Sequence, residues 1–299
     1  MVVPDALPRL IPKSLKPKFR YPKPRPRLTT IMAVDCKEGV VLAADGQETN
    51  EWPSITIRQL VNKIDQVSYR GRKEPHCLLG FSGAEGYIDQ FEERIGKAIS
   101  EGRNKTHSEA LDDAICDFAH YLYRRDTGLR KGQELNDLAS AVFVGYDPKI
   151  RKTCVYTLLP PHPPIPLLKY PHRTGIGSGW PFAGLLFTLA ESLLGQLGLS
   201  WKNISTQLVA QFCYIALGKV MNYEGRTGLA SSVYKMDESG NFEGLSVSQI
   251  FPGIIGAENK VPIALRTLLK EKDVPRDKLL SLIKRYDLLS IIAEFSSGK

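Results

Sequence analysis

A chain of 299 residues with 42% hydrophobic content is long enough to bury a large core, as one α/β domain or as one domain with appendages. A formal charge of +8 and a pI near 9.1 would suggest a nucleic-acid partner if the charge were spread over the folded body. It is concentrated instead: residues 1–28 carry Arg9, Lys13, Lys16, Lys18, Arg20, Lys23, Arg25 and Arg27 against Asp5, so 8 − 1 = +7 sits in the leading segment and 8 − 7 = +1 remains for everything after it.

That leading block also holds Pro4, Pro8, Pro12, Pro17, Pro22, Pro24 and Pro26. Proline fixes φ and removes a backbone donor, so neither a helix nor a central strand is expected there, and an amphipathic targeting helix is disfavoured for the same reason. There is no apolar run of the secretory kind, nor a stretch of roughly 20 apolar residues that would span a membrane. Cys36, Cys77, Cys116, Cys154 and Cys213 are odd in number and widely spread. With no CxxC pair, and no ligand spacing among the five histidines, they read as reduced packing residues of a cytoplasmic protein, not a disulfide frame or a metal site. No metal, cofactor, nucleic-acid or membrane partner is expected.

In chain order, apolar runs at 29–34 and 40–45 joined through Lys37-Glu38-Gly39 predict a hairpin, followed by strands near 59–69 and over 77–81. Helical spacing, with Ile88, Phe91, Ile95 and Ile99 on one face, predicts helices over about 84–101 and 107–125. A second hairpin is expected over 139–146 and 153–158 with Asp147-Pro148 in its turn, then a rigid loop at Pro160–Pro164. Helices at about 181–196 and 204–222 and strands at about 228–235 and 244–250 complete the body. Two sheets alternating with two helix pairs imply an α/β fold of four layers, an αββα sandwich. Three units are expected: a Pro-rich basic tail or propeptide (1–28), a body (29–255) and a C-terminal helical extension (256–299). In the last, Leu279, Leu280, Ile283, Leu288 and Ile291 recur at helical spacing between charged residues, suiting a helix packed on the body or on a neighbouring subunit.

The chemistry-bearing residues lie in the first third. Thr29 stands at the outer end of the first strand, Asp45 ends the second, and Lys63 follows one element later. Individually these are ordinary: a β-branched strand starter, an Asp-Gly turn and a solvated lysine. Together, in this order, they are the parts of a threonine nucleophile. A Thr hydroxyl attacks only when a base takes its proton, and an α-amine, with a reference pKa of about 7.7–8.0, is substantially neutral near physiological pH.

With Gly80-Phe81-Ser82-Gly83-Ala84, Gly175-Ile176-Gly177-Ser178-Gly179 and, more loosely, Glu224-Gly225-Arg226-Thr227-Gly228, this series resembles the β-type subunits of the proteasome and the related bacterial peptidase that works with a ring ATPase. Both belong to the N-terminal nucleophile hydrolases. The resemblance spans roughly residues 29–235. It implies a threonine endopeptidase whose propeptide is removed so that Thr29 becomes the first residue and its own amine the base. By the same resemblance, Lys63 stabilises the alkoxide, Asp45 holds Lys63, the Gly83 backbone N–H faces the oxyanion, and Ser178, Glu224 and Thr227 surround the amine. The wall of the pocket for the residue before the cleaved bond would include Glu48, Val61, Phe81, Glu85 and Asp89, favouring a basic side chain through its carboxylates. Leu28 stands where active subunits usually carry Gly, and Glu224 and Thr227 where they usually carry Asp and Ser. The implied partners are polypeptide substrates and a ring, either a homo-oligomer or a ring with α-type subunits, with an ATPase ring as an optional further partner. A catalytically silent ring subunit and a small-molecule amidase of the same superfamily are the alternatives.

Overall fold

A computed structural model describes residues 29–52, 55–60, 62–67, 76–102, 104–125, 138–168, 170–196, 198–224 and 231–251. The expectations for residues 1–28 and 256–299 fall outside these described residues.

The first hairpin pairs β1 (Ile31–Cys36) with β2 (Gly39–Asp45), with Met32 opposite Ala43 and Ala33 opposite Leu42. Nearly every residue of both strands is buried, because the sheet they belong to is covered on both faces and continuous apolar runs replace the usual polar alternation. A small separate hairpin follows, β3 (Gln47–Trp52) with β4 (Ile55–Leu60), and then β5 (Ile64–Val67) and β6 (Cys77–Gly83). The strand expected at 59–69 is therefore two elements: the chain leaves β4 at Leu60, turns past Lys63, and enters a different sheet at Ile64.

Helices α1 (Glu85–Glu101) and α2 (His107–Arg125) precede β7 (Ala139–Asp147) and β8 (Lys152–Leu158). Short β9 (Ile165–Pro166) and β10 (Arg173–Ile176) lead to α3 (Trp180–Gln196) and α4 (Thr206–Glu224). β11 (Ser231–Met236), β12 (Phe242–Gly244) and the one-turn α5 (Val247–Ile250) close the described chain. A strand over 244–250 is thus corrected to the end of a short strand plus a helical turn. Ser246 explains the change: its hydroxyl accepts the Gln249 backbone N–H while the Gln249 side chain returns to the Ser246 backbone, a capping box that starts a helix.

One sheet runs β10-β1-β2-β11-β12 and the other β5-β6-β7-β8-β9. Three apolar clusters mark the layers. Ile31, Ala33, Leu42 and Ala44 meet Ile64, Leu78, Val142 and Val144 between the sheets. Leu79 and Phe143 pack against Phe91, Ile95, Leu111 and Phe118 of α1 and α2. Met32, Val34, Val41 and Ala43 pack against Phe187, Val209, Cys213 and Val220 of α3 and α4. Alternate residues of β1 face the two clusters, as the period-two pleat requires. The result is the α, β, β, α sandwich. Among the described residues no helix is long and apolar enough to cross a membrane, and all five cysteines are free thiols.

Candidate active site

Asp45 ends β2, and its side chain turns back towards the start of β1. One carboxylate oxygen accepts the Thr30 backbone N–H at 2.7 Å, and the Asp45 N–H donates to the Thr30 carbonyl at 3.0 Å. The other oxygen accepts from Lys63 Nζ at 2.8 Å. Lys63 Nζ also donates to Thr29 Oγ1 at 3.2 Å. Asp45 is fully buried, Thr29 is 3% exposed, and the Lys63 side chain is 10% exposed. A charge pair so withdrawn from water attracts more strongly than one on the surface, and it persists only while both partners are present.

Three segments hold Lys63 in this position. The Lys63 carbonyl accepts the Phe81 N–H at 3.2 Å, tying the turn to β6. Asn62 clasps the next residue, accepting the Ile64 N–H at 3.2 Å and donating to the Ile64 carbonyl at 2.8 Å. The same Asn62 oxygen accepts the Ser232 hydroxyl at 2.9 Å, linking the turn to β11. Sequence reading did not single out Asn62 or Ser232. An Asn beside its own backbone is a local signal, but its partner lies 170 residues away.

The Gly-Ser-Gly segment wraps the other side of Thr29. β10 pairs with β1, placing Ile176 opposite Ile31. Gly177, at φ +90°, then lies against the Thr29 carbonyl: a Cβ there would overlap that oxygen and would also come within 3.3 Å of Ser82 Oγ. Only glycine meets both the dihedral and the space. The Gly179 N–H donates to the Thr29 carbonyl at 3.3 Å. Between these two glycines, the Ser178 hydroxyl is buried with no hydrogen-bond partner among the described residues. A buried hydroxyl left unpaired is costly, and this one is available to a further polar group beside Thr29.

The two threonines are distinguished by their surroundings. Thr29 Oγ1 faces Lys63. Thr30 Oγ1 faces away, against Gly179, where it too is buried and has no hydrogen-bond partner among the described residues.

Gly83 ends β6 at φ +143°, and a Cβ there would overlap the Leu138 carbonyl, so its glycine identity is set by backbone geometry. Of the residues expected to wall a pocket, Phe81 is 4% exposed and meets Phe91 edge-on at 6.4 Å, within the cluster under α1. Asp89 is exposed on α1. It is close enough to raise the carboxyls of Asp65 and Glu92, for each of which burial is the larger cause. Asp65 and Glu92 were not read as candidates from the sequence. Val61 and Thr227 fall outside the described residues, as do the side chains of Glu48, Glu85 and Glu224.

No protein-family model matches the chain, and no curated protein matches it. Among solved structures, a mutant Anbu protein from Hyphomicrobium sp. strain MC1 superposes with a TM-score of 0.58 at 13% identity, over 81% of this chain and 98% of that one. The helical assembly of the Anbu complex from Pseudomonas aeruginosa gives 0.59 at 12%, over 82% and 98%. Anbu from Yersinia bercovieri, described as an ancestral beta-subunit, gives 0.58 at 11% over the same shares. The fold is the four-layer αββα sandwich shared with these structures. At these identities the similarity establishes architecture, and the chemistry has to be argued from the site itself.

Proposed function

We propose that this chain is a threonine endopeptidase subunit of a proteasome-like, ring-forming assembly, with Thr29 as the nucleophile after removal of residues 1–28. The observation that carries the reading is the bridging position of Lys63, within 3.2 Å of Thr29 Oγ1 and 2.8 Å of the Asp45 carboxylate. A lysine paired only for stability has no need of a threonine hydroxyl at the mouth of its ion pair.

The chain as translated carries an amide, not an amine, at Thr29. Release begins when Thr29 Oγ attacks the Leu28 carbonyl carbon, breaking the Leu28–Thr29 C–N bond and leaving an ester and a free α-amine. Water then cleaves the ester, freeing the tail as a carboxylate and restoring the hydroxyl. In turnover the amine takes the Thr29 hydroxyl proton as the oxygen attacks a substrate carbonyl. The proton passes to the departing amine, and water hydrolyses the acyl ester. The Lys63 ammonium stabilises negative charge on Oγ, Asp45 fixes the ammonium, and the Gly83 N–H serves the carbonyl oxygen as it becomes an oxyanion. Ser178, with Glu224 and Thr227, completes the setting of the amine.

Ring assembly rests on the same reading, as do polypeptide substrates and service by α-type or ATPase partners. The test is intact-mass measurement of the purified chain beside Thr29→Ala. A mass beginning at Thr29 in the parent and an unprocessed mass in the variant, with hydrolysis of fluorogenic peptides only by the parent, is the expected result. An intact tail and no hydrolysis in the parent would favour a silent ring subunit.

A further inference from the structure

Lys63 carries its ammonium from one sheet to the other. Its carbonyl accepts the Phe81 N–H at 3.2 Å, and the next residue, Ile64, pairs with Gly80, so the backbone here belongs to the sheet of β5 and β6. Its Nζ reaches groups of the opposite sheet, Asp45 at the end of β2 and Thr29 just ahead of β1. The sheets are close at this end: a Cβ on Gly80 would come within 2.6 Å of Ile31 Cγ2. A lysine is a point charge on a flexible four-carbon stem. Where that charge settles depends on how firmly the backbone beneath it is held against the opposite sheet.

Asn62 supplies that hold. Its oxygen accepts the Ile64 N–H at 3.2 Å and the Ser232 hydroxyl at 2.9 Å, and its nitrogen donates to the Ile64 carbonyl at 2.8 Å. These partners fix the orientation of the amide, because a backbone N–H only donates and a carbonyl only accepts. Two of the bonds stiffen the turn, and the third crosses to the other sheet. It lands beside the target of Lys63 itself: β11 pairs with β2, with Ser231 opposite Asp45 and Ser232 opposite Ala44. The Asn62–Ser232 and Lys63–Asp45 contacts are therefore neighbouring rungs between one turn and one pair of strands, the first neutral and the second charged.

We propose that Asn62 and Ser232 are positioning residues for the Lys63 ammonium, fixing the spacing between its turn and the β2–β11 pair and thereby seating Nζ on Thr29 Oγ1. The inference rests on the role given to Lys63 above. A displacement of about 1 Å at a reacting group costs on the order of a hundredfold in rate, so loss of the neutral rung, with the charged one retained, is expected to lower kcat about tenfold. Asn62 is exposed, so its truncation opens no cavity, and a part in stability alone would leave the kcat of the folded enzyme untouched.

The experiment compares the parent with Asn62→Ala, Ser232→Ala and the double variant, each shown to be folded by its thermal midpoint. One readout is steady-state hydrolysis of a fluorogenic peptide. The other is the rate at which acetic anhydride acetylates Lys63 at low extent, read by mass spectrometry against Lys235, which is paired with Glu243 elsewhere on β11. Asn62→Ala is expected to lower kcat about tenfold and Ser232→Ala several-fold, with KM within about twofold of the parent. Lys63 is expected to acetylate several-fold faster in both, and Lys235 at the parental rate. The double variant is expected to be no worse than Asn62→Ala, because the two side chains act through one bond. Parental kcat and parental Lys63 acetylation in the single variants would overturn the proposal, and so would losses that multiply in the double variant or a change confined to KM. Acetylation also separates this inference from the function it rests on. A parent that neither sheds its tail nor hydrolyses peptide refutes the peptidase reading, while faster Lys63 acetylation in the variants still supports the clasp; a hydrolysing parent with equal acetylation throughout refutes the clasp alone.

Discussion

Asp45 gives one oxygen to the Thr30 backbone N–H at 2.7 Å and the other to Lys63 Nζ at 2.8 Å. One carboxylate therefore both secures the start of β1 and sets the ammonium beside Thr29, so a strand-end contact and the contact proposed to serve catalysis share a side chain.

Substitutions at Asp45 separate those two roles. Asp45→Asn keeps an acceptor for the Thr30 N–H but sets an amide NH2 against the Lys63 ammonium, and is expected to lower the thermal midpoint less than Asp45→Ala does while lowering peptide hydrolysis about a hundredfold. Asp45→Ala strands both a buried N–H and a buried ammonium, and is expected to cost about 3–5 kcal/mol in denaturant unfolding. Lys63→Arg keeps charge without a compact ammonium, and is expected to process its tail slowly and hydrolyse poorly. Parental turnover in Asp45→Asn and Lys63→Arg would remove both residues from the mechanism.

Adjacent threonines allow an internal control. Thr29→Ala removes the hydroxyl that Lys63 faces, and is expected to abolish hydrolysis with the fold intact. Thr30→Val replaces a buried hydroxyl that has no partner among the described residues by a methyl of similar shape. It is expected to keep activity within a few-fold and to gain about 1 kcal/mol of stability. Loss of activity in Thr30→Val with retention in Thr29→Ala would move the nucleophile by one residue.

His107, at the start of α2, is buried edge-on against Phe143 at 5.0 Å, with its backbone N–H donated to Asp147 at 2.7 Å. Burial pushes its imidazole down from 6.5 to about 4, partly opposed by the Asp147 carboxylate. Because the folded value lies below the unfolded one, the unfolded chain binds more protons between these limits. The contribution is thus intact above about pH 6.5 and lost progressively as pH falls towards 4, by up to about 3 kcal/mol. Urea midpoints at several pH values, compared with His107→Gln, provide the check: the parent is expected to lose more stability than the variant between pH 6.5 and 4. Parallel curves would contradict a depressed imidazole.

Much of this fold was legible because long periodic segments announce themselves. α1, α2, β7 and β8 fall within a residue or two of where the pattern sets them. The misses have a common cause. β10 is four residues long and owes its existence to pairing with β1, and β4 and β5 merge on paper because the turn that separates them carries Lys63 and no proline or glycine. At the site, the Thr, Asp and Lys positions were readable as an ordered motif. The Asn62–Ser232 link was not, since a long-range side-chain bond leaves no trace in spacing.

Cleavage preference is the remaining prediction. Asp89 on α1 stands close enough to Asp65 on β5 and to Glu92 that burial and mutual repulsion raise the latter two carboxyls. Asp65 lies two residues beyond Lys63, so this negative potential borders the turn that carries the proposed partner of Thr29. A cationic side chain before the scissile bond would relieve that repulsion, whereas an acidic one would add to it. The expected result is preferential cleavage after Arg or Lys in a peptide library, with the preference over Leu falling roughly tenfold in Asp89→Ala while turnover of a Leu substrate changes little. Unchanged selectivity in the variant, or a parental preference for aromatic residues, would assign Asp89 to a solvated helix face and leave the buried Phe81 as the specificity element.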